Sequence, residues 1–425
     1  DLVQEQTMRG IVFIPEGTYK LGKTIHLWQG IRLIGYGKKR PLFKLGKNTP
    51  GFQQEDSKYM IRFCHNPPDQ DGNFYTFYSG IDNINFEICE GNPAAVAVRF
   101  RCAQHCALEN IVFNIGDGRG GVEETGIMID NCSFQGGDFG IKTKKSAAGW
   151  QTMVLNCSFE KQREASIITM EAYMVLVRNR FKNVPIGIYL PSTDNLYMQD
   201  TWFEDVNNSA VVIDNYISNN LQVNFLNIKL SNVPYYVRFS GRVQGAKPNE
   251  IQLDYESPSE DYEINSFSQG LHIDYSNGHS VKRFFGVEKD IKPVKDFETF
   301  TPNNTPLLPP QNTWINIKDL GAKGDGVTDD TDVFKKAIEK YDAIFIPMGK
   351  YLISSTLKLK ENTKLIGFHP YMTQIFLKDG TPEFLNFDDS KALIETPHNG
   401  VNGIIGLGFD LGINPGAVGI KWMAG

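Results

Sequence analysis

Phenylalanine recurs along the first half of the chain at nearly constant spacing, with short β-rich segments in between. Successive members are 27, 21, 25, 22, 22 and 22 residues apart: Phe86, Phe113, Phe134, Phe159, Phe181, Phe203 and Phe225. The intervening segments, such as Ile186–Leu190 and Ala210–Asp214, have the length of a strand and are bounded by Gly, Asn or Asp. A period near 22 residues is typical of one coil of a parallel β-helix and is too short for helix-pair repeats.

An amide or a carboxylate precedes several of these phenylalanines by three positions, at Asn83, Asn110, Asn131, Asn156 and Asp200. These residues would lie at one sharp bend per coil, because Asn tolerates a left-handed backbone and its amide can bond to neighbouring coils. The phenylalanines would stack in the interior, each contributing roughly 1.5–3 kcal/mol on burial. A leucine-rich repeat has a similar period, but its LxxLxL framework is absent. A globular sandwich with coincidental spacing is the remaining alternative.

A longer repeat connects the two ends of the chain. Residues 11–52 and 343–384 align without a gap at an offset of 332 residues, with 14 of 42 positions identical. The identical positions include Pro15/Pro347, Gly17/Gly349, Tyr19/Tyr351 and Gly35/Gly367. Because such a duplication indicates two copies of one structural unit, the sequence predicts an all-β fold of two tandem parallel β-helices.

The second copy opens with the segment DLGAKGDGVTDDTDVFKKAIEKY at residues 319–341. Apolar residues in it recur at helical spacing, at Val333, Phe334, Ala337, Ile338 and Tyr341. With N-cap oxygens offered by Asp329 and Asp330, this pattern predicts a short helix that covers the open end of the second coil stack. The GDGVTDDT segment is interpreted as structural, because its acids lack the regular spacing of a calcium loop.

A proline-rich segment separates the two copies, since residues 292–312 hold five prolines and almost no periodicity. We therefore assign residues 1–290 to the first β-helix domain, 291–313 to a linker and 314–425 to the start of the second domain. The first copy lacks the GDG-type opening that the second copy has. The second copy stops where the first continues for nearly 190 residues, so we expect both domains to be truncated.

Composition and charge narrow the classes of function. The net charge of −6 provides no basic field for polyanions, so nucleic acid is not an expected partner. No apolar run approaches the roughly 18 residues that span a membrane. All six cysteines lie in the first 157 residues without a CxxC pair, so a zinc site is not expected. Cys102 and Cys106 are interpreted as buried thiols, with a bridge as the alternative.

Several motifs bear a family resemblance. The segment DLGAKGDGVTDDT, a short helix, IFIPMGKYLISSTLKL and KLIGF together resemble the opening of the pectate-lyase-like superfamily. Duplication of this unit within one chain, joined by a proline-rich linker, resembles glycoside hydrolase family 55. Residues 91–121, GNPAAVAVRFRCAQHCALENIVFNIGDGRGG, are similar to the first domain of that family.

This resemblance implies that the two parallel β-helices are right-handed and lie side by side. It also implies a hydrolase of β-1,3-glucan (laminarin-type) that acts from a chain end with inversion, in a cleft between the two β-helices. In such an enzyme one carboxylic acid protonates the leaving oxygen, while a second group activates water on the opposite face. The resemblance places the general acid in the second domain beyond Gly425, so none is assigned to this chain. It implies no metal and no cofactor. A monomeric protein, secreted because its substrate is a polymer, is expected.

The resemblance also points to site residues in the first domain. Gln104 occupies the position of a glutamine that helps to hold the attacking water; capping of a strand end is the alternative role. In the turn GDGRGG at residues 116–121, Arg119 stands where the family has a serine. Arg119 and Asp117 are therefore candidate substrate-binding residues, and Glu123 and Glu124 are nearby acids. Trp202, which should face opposite to Phe203, is a candidate platform for a sugar ring, with packing under a loop as the alternative.

Three other functions remain to be weighed. A viral tailspike-like depolymerase would share the coil, although tailspikes usually trimerise. A carbohydrate-binding β-helix protein without catalytic activity is favoured by Arg119, which departs from the family pattern. A calcium-dependent lyase would need acids stacked on neighbouring coils. The sequence between the repeated phenylalanines shows no such column of acids.

Overall fold

The computed structural model describes residues 10–66, 70–72, 75–144, 151–170, 173–191, 195–214, 222–239, 254–274, 282–295, 297, 298, 300 and 308–424. The chain divides into two compact units, the first built mainly from residues before 308 and the second from Leu308 onward. Within the described ranges, no helix has the length and apolar character needed to cross a membrane.

The first unit consists almost entirely of short strands. In chain order they are β1 Gly10–Pro15, β2 Thr18–Leu21, β3 Ile25–Trp28, β4 Ile31–Tyr36, β5 Leu42–Leu45, β6 Lys58–Asn66, β7 Gln70–Asp71, β8 Gly80–Asp82, β9 Asn85–Ile88, β10 Ala95–Arg99, β11 Ala107–Glu109, β12 Val112–Gly116, β13 Gly120–Glu123, β14 Met128–Asp130, β15 Ser133–Gly136, β16 Phe139–Lys144, β17 Gln151–Leu155, β18 Ser158–Glu160, β19 Ala165–Met170, β20 Tyr173–Val177, β21 Arg180–Leu190, β22 Leu196–Ile213, β23 Val223–Ser231, β24 Tyr235–Phe239, β25 Asp254–Glu256, β26 Asp261–Asp274 and β27 Lys282–Pro293.

Equivalent strands of successive coils pair in parallel and form three sheets. Sheet A contains β3, β6, β10, β13, β16 and β19, and sheet B contains β4, β8, β11, β14, β17 and β20. Sheet C contains β2, β5, β9, β12, β15 and β18. The long strands β21 and β22 then continue all three sheets. The predicted parallel β-helix is therefore confirmed for this unit.

The phenylalanine stack is confirmed from Phe86 to Phe203. Neighbouring ring centroids are 5.3, 4.7, 4.8, 5.0 and 4.7 Å apart, with planes within 14° of parallel. The prediction was wrong for Phe225, which pairs with Met198 and packs 5.2 Å from Phe267. Leu230 pairs with Phe203 instead, because the last coil is longer and puts the interior position 27 residues onward.

The predicted bends are also confirmed. Backbone φ is positive at each of the five positions, with values of 58°, 57°, 51°, 52° and 47° at Asn83, Asn110, Asn131, Asn156 and Asp200. Side-chain amides bridge the coils, since Asn131 Nδ2 donates to Asn110 Oδ1 at 2.8 Å. Left-handed backbone costs most residues free energy, and the short amide side chain reduces that cost by bonding locally.

The last strands of the first unit depart from the parallel pattern. Strand β26 pairs antiparallel with both β23 and β27, and β25 pairs antiparallel with β24. This antiparallel layer pairs the otherwise open edge of the final coil. Strand β27 runs into the predicted linker as far as Pro293. The boundaries 1–290, 291–313 and 314–425 remain predictions.

The second unit has three parallel sheets and one α-helix, α1 Thr331–Lys340. Its strands are β28 Ile315–Asn316, β29 Asp325–Asp329, β30 Ala343–Ile346, β31 Gly349–Leu352, β32 Leu357–Lys358, β33 Lys364–Gly367, β34 Thr373–Phe376, β35 Lys391–Glu395, β36 Gly403–Ile405, β37 Gly408–Asp410 and β38 Ala417–Lys421. The sheets are β28-β30-β33-β36, β29-β31-β34-β37 and β32-β35-β38. Helix α1 was predicted, and it buries Phe334, Ala337 and Ile338. The side-by-side arrangement of two β-helices stays a prediction.

Equivalent residues of the two copies make equivalent contacts. Tyr19 Oη donates to the carbonyl of Pro15 at 3.0 Å, and Tyr351 Oη donates to that of Pro347 at 2.8 Å. These hydrogen bonds close the same Pro-x-Gly-x-Tyr turn in each copy. The identity of the Pro15/Pro347 and Tyr19/Tyr351 pairs therefore has a structural explanation.

The segment GDGVTDDT is held together by its own carboxylates. Asp330, only 1% exposed, accepts hydrogen bonds from the backbone N–H groups of Lys323 at 2.7 Å and Gly324 at 2.9 Å. Asp325 accepts from the N–H groups of Val327 and Thr328 at 2.9 and 2.7 Å, and its pKa is lowered to about 2 by these bonds. The structural interpretation of the segment is supported. Asp330 is the N-cap residue immediately before α1, but its carboxylate accepts hydrogen bonds from the preceding loop and not from the helix.

Replacing Asp330 with alanine is expected to lower the free energy of unfolding of the second unit by about 2–3 kcal/mol. The reason is that two partly buried N–H groups lose the charged acceptor that the buried Asp330 carboxylate provides. Chemical unfolding followed by circular dichroism measures the change. Asp332→Ala is the matched control, because Asp332 is an exposed acid in the first helical turn and should cost less than about 1 kcal/mol. Equal losses in the two variants would contradict the role given to Asp330.

All six cysteines are unpaired, and five of them are buried. Cys102 and Cys106 therefore do not form a bridge in this structure. Their interpretation as buried thiols is confirmed.

Candidate functional site

Gln104 lies in the loop between β10 and β11, where it is half-buried. Residues 76–78 run alongside this loop, and the N–H groups of Ala103 and Tyr78 bond to the carbonyls of Thr76 and Gln104 at 2.9 and 3.3 Å. The side-chain Oε1 of Gln104 is buried, and none of the described residues donates a hydrogen bond to it. Such an unsatisfied buried acceptor is rare in proteins and calls for a partner.

Strained backbone surrounds the same loop. Tyr78, His105 and Glu124 all have left-handed φ, at 58°, 61° and 56°. The rings of Tyr78 and His105 stack with centroids 4.8 Å apart and planes 4° from parallel. Non-glycine residues in this conformation cost free energy and cluster at functional sites. The strain and the unpartnered amide therefore mark one place in the fold.

Arginines gather around Asp71 beside this loop. Arg99 Nε lies 2.9 Å from both carboxylate oxygens of Asp71, and Arg62 Nε lies 3.3 Å from one of them. Arg101 Nη1 lies 3.8 Å away. Burial by itself would raise the pKa of Asp71, but the hydrogen bonds and charge of Arg99, with Arg62, hold that pKa below its usual value. Asp71 is therefore ionised at neutral pH.

Two glutamates complete the cluster at the end of β13. Glu123 pairs with Arg99 across the parallel strands, and its Oε2 is buried without a hydrogen-bond partner among the residues described. Glu124 is 4% exposed, and its Oε1 lies 3.9 Å from Arg99 Nη2. Arg99 Nη1 also donates to Tyr59 Oη at 3.0 Å. Burial, followed by the charge of Glu123, raises the pKa of Tyr59 to about 12.

We call this group the β10-end site and define it by its polar residues, namely Asp71, Arg99, Gln104, Glu123 and Glu124. It combines an amide able to orient water, carboxylates able to accept protons or sugar hydroxyls, and a guanidinium with several donors. Of these residues, Gln104, Glu123 and Glu124 were singled out from the sequence. Asp71 and Arg99 were not, because Asp71 lies in no sequence motif and nothing in the segment 91–121 distinguishes Arg99 from its neighbours.

Asp117 and Arg119 lie at the opposite end of β10. The N–H of Arg119 donates to the carbonyl of Ala95 at 2.8 Å, at the start of that strand, and Arg119 Nη1 lies 3.4 Å from Ser57 Oγ. Asp117 is exposed. Arg163 holds their turn by donating to the carbonyls of residues 116, 117 and 118. The structure therefore does not bring Asp117 and Arg119 together with Gln104.

Trp202 faces away from Phe203 as strand alternation predicts, but it is only 8% exposed. Its Nε1 donates to the carbonyl of Glu298 at 2.8 Å, and its ring packs 5.4 Å from Phe300. The indole face needed by a sugar is covered by these residues. Trp202 therefore packs under other residues of the chain, as the alternative interpretation expected. Its interpretation as a stacking platform for a sugar is corrected.

A column of acids on sheet B was missed. Asp82, Glu109 and Asp130 are in register on neighbouring coils. This contradicts the expectation that the region of repeated phenylalanines holds no column of acids. A signal was present in the sequence, since each acid directly precedes a bend asparagine. Asn110 and Asn156 donate to Asp82 and Asp130 at 2.8 Å, so these carboxylates are engaged in the coil itself. Across the described ranges, no group of three potential ligands could hold a metal ion.

Glu109 lies in the middle of this column, with its side chain 28% exposed and Arg32 Nη2 3.4 Å away. Burial and then the charge of Asp82 raise the pKa of Glu109 to about 7, while Arg32 acts in the opposite direction. Burial also raises the pKa of Asp82. Glu109 therefore changes its protonation near neutral pH.

Glu109→Gln is expected to raise the free energy of unfolding at pH 8 by about 1–2 kcal/mol relative to the native chain. A carboxyl with a raised pKa in the folded state binds more protons when folded. The contribution of the protonated Glu109 carboxyl to the stability of the folded state is therefore fully present below about pH 4.3. That contribution is lost as pH rises through about 7. Urea unfolding at pH 5 and pH 8 measures the difference.

The control for this substitution is Glu90→Gln, because the side chain of Glu90 is 69% exposed. That variant should keep the native pH dependence. The free energy of unfolding of Glu109→Gln, relative to that of the native chain, should be larger at pH 8 than at pH 5. An equal difference at the two pH values would contradict the raised pKa of Glu109.

Comparison with known proteins gives a family match. The family model described as rhamnogalacturonase A/epimerase, pectate lyase-like, matches residues 3–189 and 314–407. LysM19 of Penicillium expansum, described as a non-secreted LysM effector, is 25% identical over 415 residues, covering 84% of this chain and 30% of that protein.

Two other proteins match this chain only over a short segment. The preneck appendage protein of Bacillus phage PZA is 47% identical over 53 residues, or 12% of this chain and 6% of that protein. A probable glucan endo-1,3-β-glucosidase of Arthroderma benhamiae is 40% identical over 57 residues, or 13% of this chain and 6% of that protein. The chain thus spans under a third of the length of each of these relatives.

Proposed function

Because the chain belongs to the pectate-lyase-like rhamnogalacturonase A/epimerase family, we propose that it acts on a polysaccharide, as a glycoside hydrolase of β-1,3-glucan. The proposal includes membership of glycoside hydrolase family 55, action from a chain end and inversion at the anomeric carbon. The observation that carries it is the buried, unpartnered Oε1 of Gln104 beside strained backbone and clustered charges, as judged among the described residues. The local match to a probable glucan endo-1,3-β-glucosidase supports the substrate.

In this proposal the β10-end site supplies the water. Gln104 Oε1 accepts a hydrogen bond from the attacking water, which fixes its orientation towards the anomeric carbon. Glu123, whose Oε2 has no partner among described groups, takes the proton that the water loses. Arg99 holds Asp71 and lies beside Glu124, and these ionic contacts fix the site in place. We assign no general acid to this chain, and hydrolysis by this route uses no cofactor.

One observation favours a second candidate, a tailspike-like depolymerase of an acidic polysaccharide. Three guanidinium groups surround the single carboxylate of Asp71, and such a cluster can pair with the carboxylates of uronic acids. The local match to a phage preneck appendage protein agrees with this candidate. Against it, Glu123 and Glu124 lie beside the arginines and would repel an acidic chain.

Product analysis separates the candidates. The protein is incubated with laminarin, and separately with alginate and polygalacturonate, while proton NMR follows the anomeric signals. Release of glucose that first appears as the α-anomer from laminarin is the expected result. Cleavage of alginate or polygalacturonate without laminarin products would select the second candidate. Binding of laminarin without any product would select a carbohydrate-binding protein.

Two further properties follow from a polymeric substrate. We propose that the protein works outside the cell, where glucan polymers are accessible, although the relative LysM19 is described as non-secreted. We also propose that it works as a monomer. Light scattering combined with size-exclusion chromatography tests the second point, and a stable trimer would favour the tailspike-like candidate.

A further inference from the structure

An open groove of about 410 Å³ lies on the outer face of sheet B, and no residue of the β10-end site is among the residues that line it. It crosses β17, β20, β22 and β23, which are consecutive coils of the first unit. The described residues that line it are all uncharged, including Gln151, Tyr173, Asn195, Tyr197, Gln222 and Asn224. None of them was part of any site predicted from the sequence.

Strand register arranges these side chains in two parallel rows along the coil axis. Gln151 pairs with Tyr173, and the hydrogen bonds from Met174 N to Asn195 O and from Leu196 N to Gln222 O continue this row. In the second row, Tyr197 pairs with Asn224. Because alternate residues of a strand face the same side, both rows point outward. Each row therefore places amides next to an aromatic ring.

The two tyrosines present their rings to solvent, with Tyr173 42% exposed and Tyr197 36% exposed. Tyr197 is held in position by donating to Gln199 Oε1 at 2.8 Å. The amides are also oriented. Asn195 Oδ1 accepts from the N–H of Gln222 at 2.9 Å, and Asn224 Oδ1 accepts from Ser268 Oγ at 2.8 Å. The groove is therefore preformed, which reduces the entropy lost when a ligand binds.

We infer that this groove is a binding site for a neutral oligosaccharide, separate from the β10-end site. Tyrosine rings contact the apolar C–H faces of sugars, and amides donate to and accept from hydroxyl groups. Neighbouring coils are about 4.8 Å apart, close to the length of one hexose unit, so successive sugars of an extended chain meet successive coils. The described lining residues offer no charged partner to a uronic acid, so we take the ligand to be uncharged.

This site holds the polymer and takes no part in bond cleavage. A polysaccharide bound along sheet B would raise the concentration of substrate near the rest of the same chain. Such a second contact increases the overall affinity for a long polymer without a change at the reacting centre. The inference concerns binding alone and does not depend on hydrolysis.

Calorimetric titration with laminarihexaose and cellohexaose tests the inference. The native chain should bind at least one of them, and Tyr173→Ala combined with Tyr197→Ala should weaken that binding at least about tenfold. Tyr371→Ala is the matched control, because Tyr371 is 58% exposed in the second unit and should leave binding unchanged. Circular dichroism verifies that each variant is folded.

A second variant keeps the two sites apart. Gln104→Ala should retain oligosaccharide binding in the groove, because Gln104 is not among the residues that line it. Unchanged binding in the double variant, or no binding by the native chain, would overturn the inference whatever the hydrolysis result. Self-association that the double variant abolishes, without sugar binding, would show instead that this face binds a second copy.

Discussion

Replacing Phe159 with alanine is expected to lower the free energy of unfolding of the first unit by about 3–5 kcal/mol. Phe159 is 1% exposed and stacks between Phe134 at 4.8 Å and Phe181 at 5.0 Å. Removing the ring leaves a cavity inside a continuous column, and the strands on either side are held by their backbone pairing and cannot collapse into it. Urea unfolding followed by circular dichroism measures the loss.

The matched control is Phe387→Ala, because Phe387 is 75% exposed. That substitution should change stability by less than about 0.5 kcal/mol. A loss below about 1 kcal/mol for Phe159→Ala would contradict the interior stack.

Replacing Gln104 with alanine is expected to reduce kcat on laminarin by about 100-fold. The amide oxygen that would orient the water is lost, while the loop keeps its backbone hydrogen bond from Tyr78 to residue 104. Stability should therefore hold, and KM should change little because the substrate contacts elsewhere remain. Initial rates over a range of laminarin concentrations separate kcat from KM.

Gln54→Ala is the control for this experiment. Gln54 is an exposed glutamine whose side chain contacts only the backbone of Asp56 at 3.4 Å among the described residues. Native kcat is expected for it. Native kcat in Gln104→Ala as well would remove Gln104 from the mechanism, and a rise in KM alone would make it a binding residue.

The β-helix could be predicted because its determinants are local and periodic. Bend residues such as Asn131 and interior residues such as Phe134 repeat once per coil, and each satisfies the same local geometry. The prediction failed at Phe225, where a longer coil shifts the register and Leu230 takes the interior position. The antiparallel strand β26 was also missed, since the pairing partner of an edge strand is not contained in the period.

The β10-end site could be predicted only in part. Gln104 was found through a motif, whereas Asp71 lies in the two-residue strand β7, which pairs antiparallel with β6 and interrupts the coil. Such an insertion has no counterpart on other coils, so periodicity carries no information about it.

For Trp202, periodicity predicted the direction of the side chain but not its environment. Alternation gave its outward direction, but its cover comes from residues near position 300, almost a hundred residues later in the chain.

We propose that a polysaccharide binds over sheet A at the β10-end site. A crystal structure of the protein soaked with laminaritetraose is the decisive test. We expect a sugar ring within hydrogen-bonding distance of Glu123 and Arg99, and a water held by Gln104 Oε1. Sugar bound only at other surfaces, with this face left open, would show that the β10-end site does not bind the substrate.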